Sequence, residues 1–192
     1  FLLHFLPNQT ILIVMKCTQI LSIILCLTSS LLAQNKNTHF TSAVEYNDYI
    51  IDKQQDVGNR ILQFASEKVI DKREQILNAG LPAIAQHVKD IKSMPAWKKN
   101  TQFRDASAIL FEFYKEIFAT SYRKIDAILK DGVTKQERLQ LQQINTEITN
   151  REAKLDTFFK AAQQEFARQN NMSMLANPLQ KKVDDLKNRK KN

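Results

Sequence analysis

Glu112 and Glu116, four residues apart, are the first place in this sequence to look for side-chain chemistry. Two carboxylates on one helical face can serve general acid–base work. Joined by histidines, carboxylates can also build a di-metal centre, but that pattern needs Glu-x-x-His on two helices. No such motif occurs in the sequence. Both glutamates alternate with apolar neighbours and have Lys115 between them, the pattern of a solvated face. His39 and His87 are the histidines beyond residue 33. His87 lies between Ile84 and Val88 and reads as a boundary residue, because a metal site needs clustered ligands and the surrounding sequence supplies none. There is no GxSxG elbow, phosphate loop or HExxH motif. The expectation is a protein without catalysis, metal or cofactor.

Residues suited to binding are easier to find. Phe111, Phe113, Tyr114, Phe118 and Tyr122 form an aromatic run whose helical spacing favours core packing over a pocket for an apolar ligand. Trp97 sits in the loop-forming stretch around Pro95 and is expected to cap the end of the bundle, with binding as the other reading. Arg151 interrupts an apolar rhythm and is expected to snorkel outward. Lys181, Lys182, Lys187, Arg189, Lys190 and Lys191 stand against Asp184 and Asp185 near the end of the chain. This is the interaction element best suited to an anionic lipid or glycan surface, where each basic residue is worth about 1 kcal/mol.

Composition sets what must position these residues. In 192 residues there are only three Gly and four Pro, whereas ordinary usage is roughly 12% for the two together. So few turn-formers imply long elements, and the apolar spacing makes those elements helices. Ser42-Ala43-Val44-Glu45 reads as a capping box opening a first helix to about Glu67, with Tyr46, Ile50, Val57, Ile61 and Phe64 on one face. A second segment over 69–92 repeats that pattern, with Pro82 expected to kink it or split it in two. A third, over 101–130, is expected to be apolar on both flanks of its stripe and to stop at Gly132. Thr134-Lys135-Gln136-Glu137 opens a fourth, with Leu141, Ile144, Ile148, Leu155, Phe158, Ala162 and Phe166 as its seam. Short connections between four such rods imply an all-α, up-down-up-down four-helix bundle over 42–170, with a long helical hairpin around an oligomeric core as the runner-up. Residues 34–41 read as a spacer, and 171–192 as a mobile polar, basic tail.

Targeting signals occupy the start. Met15-Lys16 gives a positive n-region, residues 20–27 an apolar h-region, and Ala33 a position for cleavage. Residues 1–14 then read as upstream codons and 15–33 as a signal peptide; the rival is a retained anchor over 11–32. Cys17 and Cys26 both fall before residue 33, so cleavage leaves no thiol and no transmembrane span. The net charge is +8, but six of the 28 basic residues lie in 180–192 against two acidic ones. A nucleic-acid binder carries its excess on the folded body, so no nucleic acid is expected.

Glu45-Tyr46-Asn47-Asp48-Tyr49-Ile50, Phe103-Arg104-Asp105-Ala106, Phe111-Glu112-Phe113-Tyr114-Lys115 and the run from Phe158 to Ala167 resemble an exported helical family of Bacteroidota. That family is grouped with a surface protein family named from Leptospira. The resemblance covers about 42–170 and implies an envelope or surface protein of a Gram-negative bacterium, with no site residues to transfer. Lipoprotein members carry a lipobox cysteine, and Ile24-Leu25-Cys26 departs from it. The leading expectation is an exported binding protein, monomeric, engaging a macromolecule of the envelope. A periplasmic holdase-type chaperone and a carrier of a small apolar ligand are the alternatives.

Overall fold

Ser42 begins the first rod as expected: its hydroxyl accepts from the Glu45 N–H at 3.1 Å. Glu45 does not close the box on Ser42. Its carboxylate reaches one residue further back and accepts from both the N–H and the hydroxyl of Thr41, each at 2.8 Å. In the computed structural model, which describes residues 39–130 and 132–173, the elements are α1 (Ala43–Ser66), α2 (Ile70–Ser93), α3 (Gln102–Ala119), α4 (Ser121–Lys130) and α5 (Lys135–Gln169). The fold is an all-α four-helix bundle, with α3 and α4 together forming the third rod. No described helix is long and apolar enough to cross a membrane.

The third rod was expected to be continuous but breaks at Thr120. The Thr120 hydroxyl bonds back to the Glu116 carbonyl at 2.8 Å, competing with the helical ladder, and its backbone leaves helical geometry at φ −127°, ψ −68°. In the second rod the opposite holds. α2 runs unbroken through Pro82, so the split into two helices does not occur. Tight packing on the third rod holds that stretch: a Cβ on Gly80 would lie 2.6 Å from Phe118 Cε1, so only glycine admits the ring.

The core runs the length of the bundle, from Phe40, Tyr46, Phe103 and Phe166 at one end to Phe64, Leu77 and Tyr122 at the other. Phe40 corrects the spacer reading. It is buried, edge-on to Tyr46 and Tyr49 at 4.9 and 5.3 Å, and so belongs to the bundle. Phe158, expected on the seam, is instead 52% exposed, and on α3 Ile109 is 48% exposed. Ile148 and Phe166 are buried as expected, but between them the buried ring is Phe159 and not Phe158, a shift of one position in the middle of the helix.

Candidate functional site

The residues singled out by sequence are scattered. Trp97 caps the bundle end as expected: its Nε1–H donates to Asn170 Oδ1 at 2.8 Å, and its ring lies against Tyr46 and Phe166. Glu112 and Glu116 are at the surface, paired with Lys92 and Lys115 and with Arg151 respectively. Arg151 does reach outward, donating both terminal nitrogens to Glu116 at 2.6 Å. His87 is a partly buried boundary residue with Nε2 2.9 Å from Asp56 Oδ2. The rings of Phe111, Phe113, Tyr114, Phe118 and Tyr122 are buried in the core. Among the described residues no group of acidic, histidine or cysteine side chains is arranged to hold a metal. Lys181, Lys182, Lys187, Arg189, Lys190 and Lys191 lie outside the described residues.

What sequence reasoning missed is inside. The inward face of α5 runs Ile148, Glu152, Asp156, Phe159, Gln163 and Phe166, in steps of four or three. That rhythm is a bundle seam as regular as the apolar one read beside it. It was legible only to a reader willing to place carboxylates at core positions, and burying them unpaired is costly. Glu152 is 2% exposed and Asp156 4%. Across from them, Tyr114 of α3 donates to Glu152 Oε1 at a long 3.4 Å. From α1, Asn47 accepts at Oδ1 from Gln163 Nε2 at 2.9 Å. Since α1 and α5 run antiparallel, two turns further along α1 brings Gln54 level with Asp156.

The polar groups of this seam are incompletely satisfied. Glu152 Oε2, Gln54 Oε1 and Gln163 Oε1 are buried without a hydrogen-bond partner. Burial pushes the Glu152 carboxyl up to about 8, with the neighbouring Asp156 charge adding to the rise and the Tyr114 bond opposing it. Burial likewise lifts Asp156 to about 6, against the pull of Lys160, whose ammonium lies 2.7 Å away. Burial also raises the Tyr114 phenol well above its ordinary range. At neutral pH the seam therefore holds a proton on Glu152.

A second feature lies on the outside. Ile109, Glu112, Phe113, Lys115 and Glu116 of α3 and Arg151, Lys154 and Leu155 of α5 line an open groove of about 450 Å³. The Glu116–Arg151 pair fixes the antiparallel register of the two helices, and by it Ile109 and Phe158 come level at the groove's edge. The Arg151 guanidinium sits 5.0 Å from the centre of the Phe113 ring, closing one end of the groove floor.

Comparison with protein families, curated proteins and solved structures finds no match to the chain.

Proposed function

We propose that this chain is an exported envelope protein of the Bacteroidota helical family it resembles, acting by binding through the outer face of α3 and α5 and not by catalysis. The run over 15–33 supports export to the periplasm or cell surface. The observation that carries the binding reading is the groove. Its edge exposes Ile109 and Phe158, two large apolar side chains that come level across the groove and stand about half in solvent. A groove between two antiparallel helices suits a third helix lying along it. The rim carries Glu112, Lys115 and Glu116 from α3 and Arg151 and Lys154 from α5, with Glu112–Lys115 and Glu116–Arg151 already paired within the chain. The occupant it suits is an amphipathic helix of a partner protein that lays one apolar stripe along the groove between its charged rims. The basic residues of 181–191 add attraction to an anionic surface.

The aromatic run gives carriage of an apolar ligand no support, because its rings are buried against one another and against the core. Quantitative capture from an envelope extract tests the binding reading. The full chain is compared with Phe158→Asp and with Val69→Asp, a charge placed at another exposed apolar position. A partner retained by the Val69 variant and lost at least tenfold by the Phe158 variant is the expected result. Equal capture by all three sinks the groove. Sedimentation as a trimer, together with suppression of client aggregation, would favour the chaperone instead.

A further inference from the structure

The bundle is not equally tight on all sides. α3 packs closely on α2 and on α5, while α1 meets α5 through only a thin set of contacts. One is the Asn47–Gln163 hydrogen bond, and another is the stacking of Tyr46 on Phe166 at 5.3 Å. Gln163 Oε1 at the first of these, and Gln54 Oε1 and Glu152 Oε2 further along the helices, are buried without a hydrogen-bond partner. α1 is held more firmly from its other flank, by Lys53–Asp90 at 2.8 Å and by His87–Asp56.

We propose that α1 lifts from α5 along this polar seam when Glu152 ionises, so that the bundle closes at acidic pH and opens as the pH rises. The groups facing Glu152 decide the direction. On α5 these are Asp156, an added negative charge, and one turn beyond it Lys160, already engaged with Asp156. α3 offers the Tyr114 hydroxyl, and α4 places Tyr122 near that phenol. By the register of the Asn47–Gln163 bond, α1 brings the neutral Gln54 to within about one turn of Glu152. No cation among these is paired with Glu152. Once the proton leaves to solvent, the new charge is relieved by water entering between α1 and α5, where the buried oxygens already lack partners.

The sign follows from linkage. The Glu152 proton is held more tightly in the closed bundle than in an open one, where the ordinary value is 4.5. The closed form is therefore fully favoured below that value and loses its advantage as pH rises towards about 8. Above about pH 6, where Asp156 has already given up its proton, and up to about 8, each pH unit multiplies the open fraction by about ten. His87 cannot produce this trend. Burial holds its pKa down, so its contribution is lost as pH falls.

Hydrogen exchange of the full chain, read by mass spectrometry between pH 5 and 9, tests the proposal. Exchange in α1 and the facing half of α5 is taken relative to α2–α3 in the same digest, which cancels the intrinsic pH dependence. In the unmodified protein that ratio is expected to climb about tenfold per unit from about pH 6, where Asp156 is already ionised, to about 8. Glu152→Gln, uncharged and of the same shape, should flatten it. A flat ratio in the unmodified protein, or the same slope in both proteins, overturns the proposal. Trp97 gives a readout that needs no variant, since it is the chain's single tryptophan and contacts Tyr46 of α1 and Phe166 of α5. Its emission should shift to the red with the same pH midpoint. Emission constant from pH 5 to 9 also overturns the opening.

Discussion

Carboxylates are buried at two places in this bundle, and the two are handled in opposite ways. Where α2 meets α4, Asp126 accepts from Arg73 Nε at 2.5 Å, and the guanidinium lies 4.1 Å from the centre of the Phe64 ring, which stacks on Tyr122. Both charges are almost wholly out of water, at 3% and 7% exposure, yet each has its counterion. In the α5 seam, Glu152 has no cation and keeps its proton instead. One site is a fixed ion pair that locks two rods together. The other is a neutral group whose charge state depends on the medium. Burial alone does not make a carboxylate a switch; the absence of a counterion does.

Removing the counterion at the first site should give the largest effect. Arg73→Met keeps the length and the apolar stem but leaves Asp126 buried beside nothing positive at that distance. Breaking such a pair costs about 3–5 kcal/mol. Urea unfolding at pH 7 should show that loss for Arg73→Met, whereas Glu152→Gln should gain stability, because native Glu152 must hold a proton that the unfolded chain gives up at that pH. If both variants lost the same amount, the contrast between the two sites would be gone.

A second test concerns which ring of α5 belongs to the core. Phe159 is 1% exposed and packs on Phe103 with ring centres 5.5 Å apart, while Phe158 stands half in water. Phe159→Ala should cost about 3–5 kcal/mol in thermal or denaturant unfolding. Phe158→Ala should stay within about 0.5 kcal/mol, as surface changes do. The reverse ranking would place the polar residues Glu152, Asp156 and Gln163 outside and dissolve the seam altogether.

These two rings also mark how far the sequence could be read. Four rods, their order, the loop at Pro95 and the stop near Gly132 were all legible, because helix signals are local: a capping hydroxyl, a scarcity of glycine, apolar residues three and four apart. The rotation of α5 about its own axis was not. Leu155 does pack against the core, but hydropathy could not tell that the ring turned inward beside it is Phe159 and not Phe158, nor that Asp156 is buried with it. Arg73 was hidden for the same reason, since a lone arginine on an amphipathic helix reads as solvated until its partner, 53 positions away, is brought beside it. Trp97 was placed correctly because its task, covering a bundle end from a loop, needs no knowledge of partners. The outer groove was invisible, for it exists only once Ile109 and Phe158 have turned out not to be core.

The smallest expected effect sharpens how α5 is held. On the side of α1 it has a thin, partly polar contact, so its own local signals carry more of its stability than those of α2 do. Its start is a complete reciprocal cap: Thr134 Oγ1 accepts from the Glu137 N–H at 3.2 Å, while the Glu137 carboxylate accepts from the Thr134 N–H at 2.9 Å and its hydroxyl at 2.7 Å. These bonds hold the Glu137 carboxyl below its usual range, the hydroxyl bond contributing most. α2 starts at Val69 with no side-chain cap at all and relies on packing. Thr134→Ala should therefore lower unfolding stability by about 1 kcal/mol, and the loss should appear as faster exchange in the first turns of α5, with α2 and α3 unchanged. Loss spread evenly over all four rods would mean that α5 is coupled to its neighbours as tightly as α2 is to α3, and that the seam is no weaker than the rest.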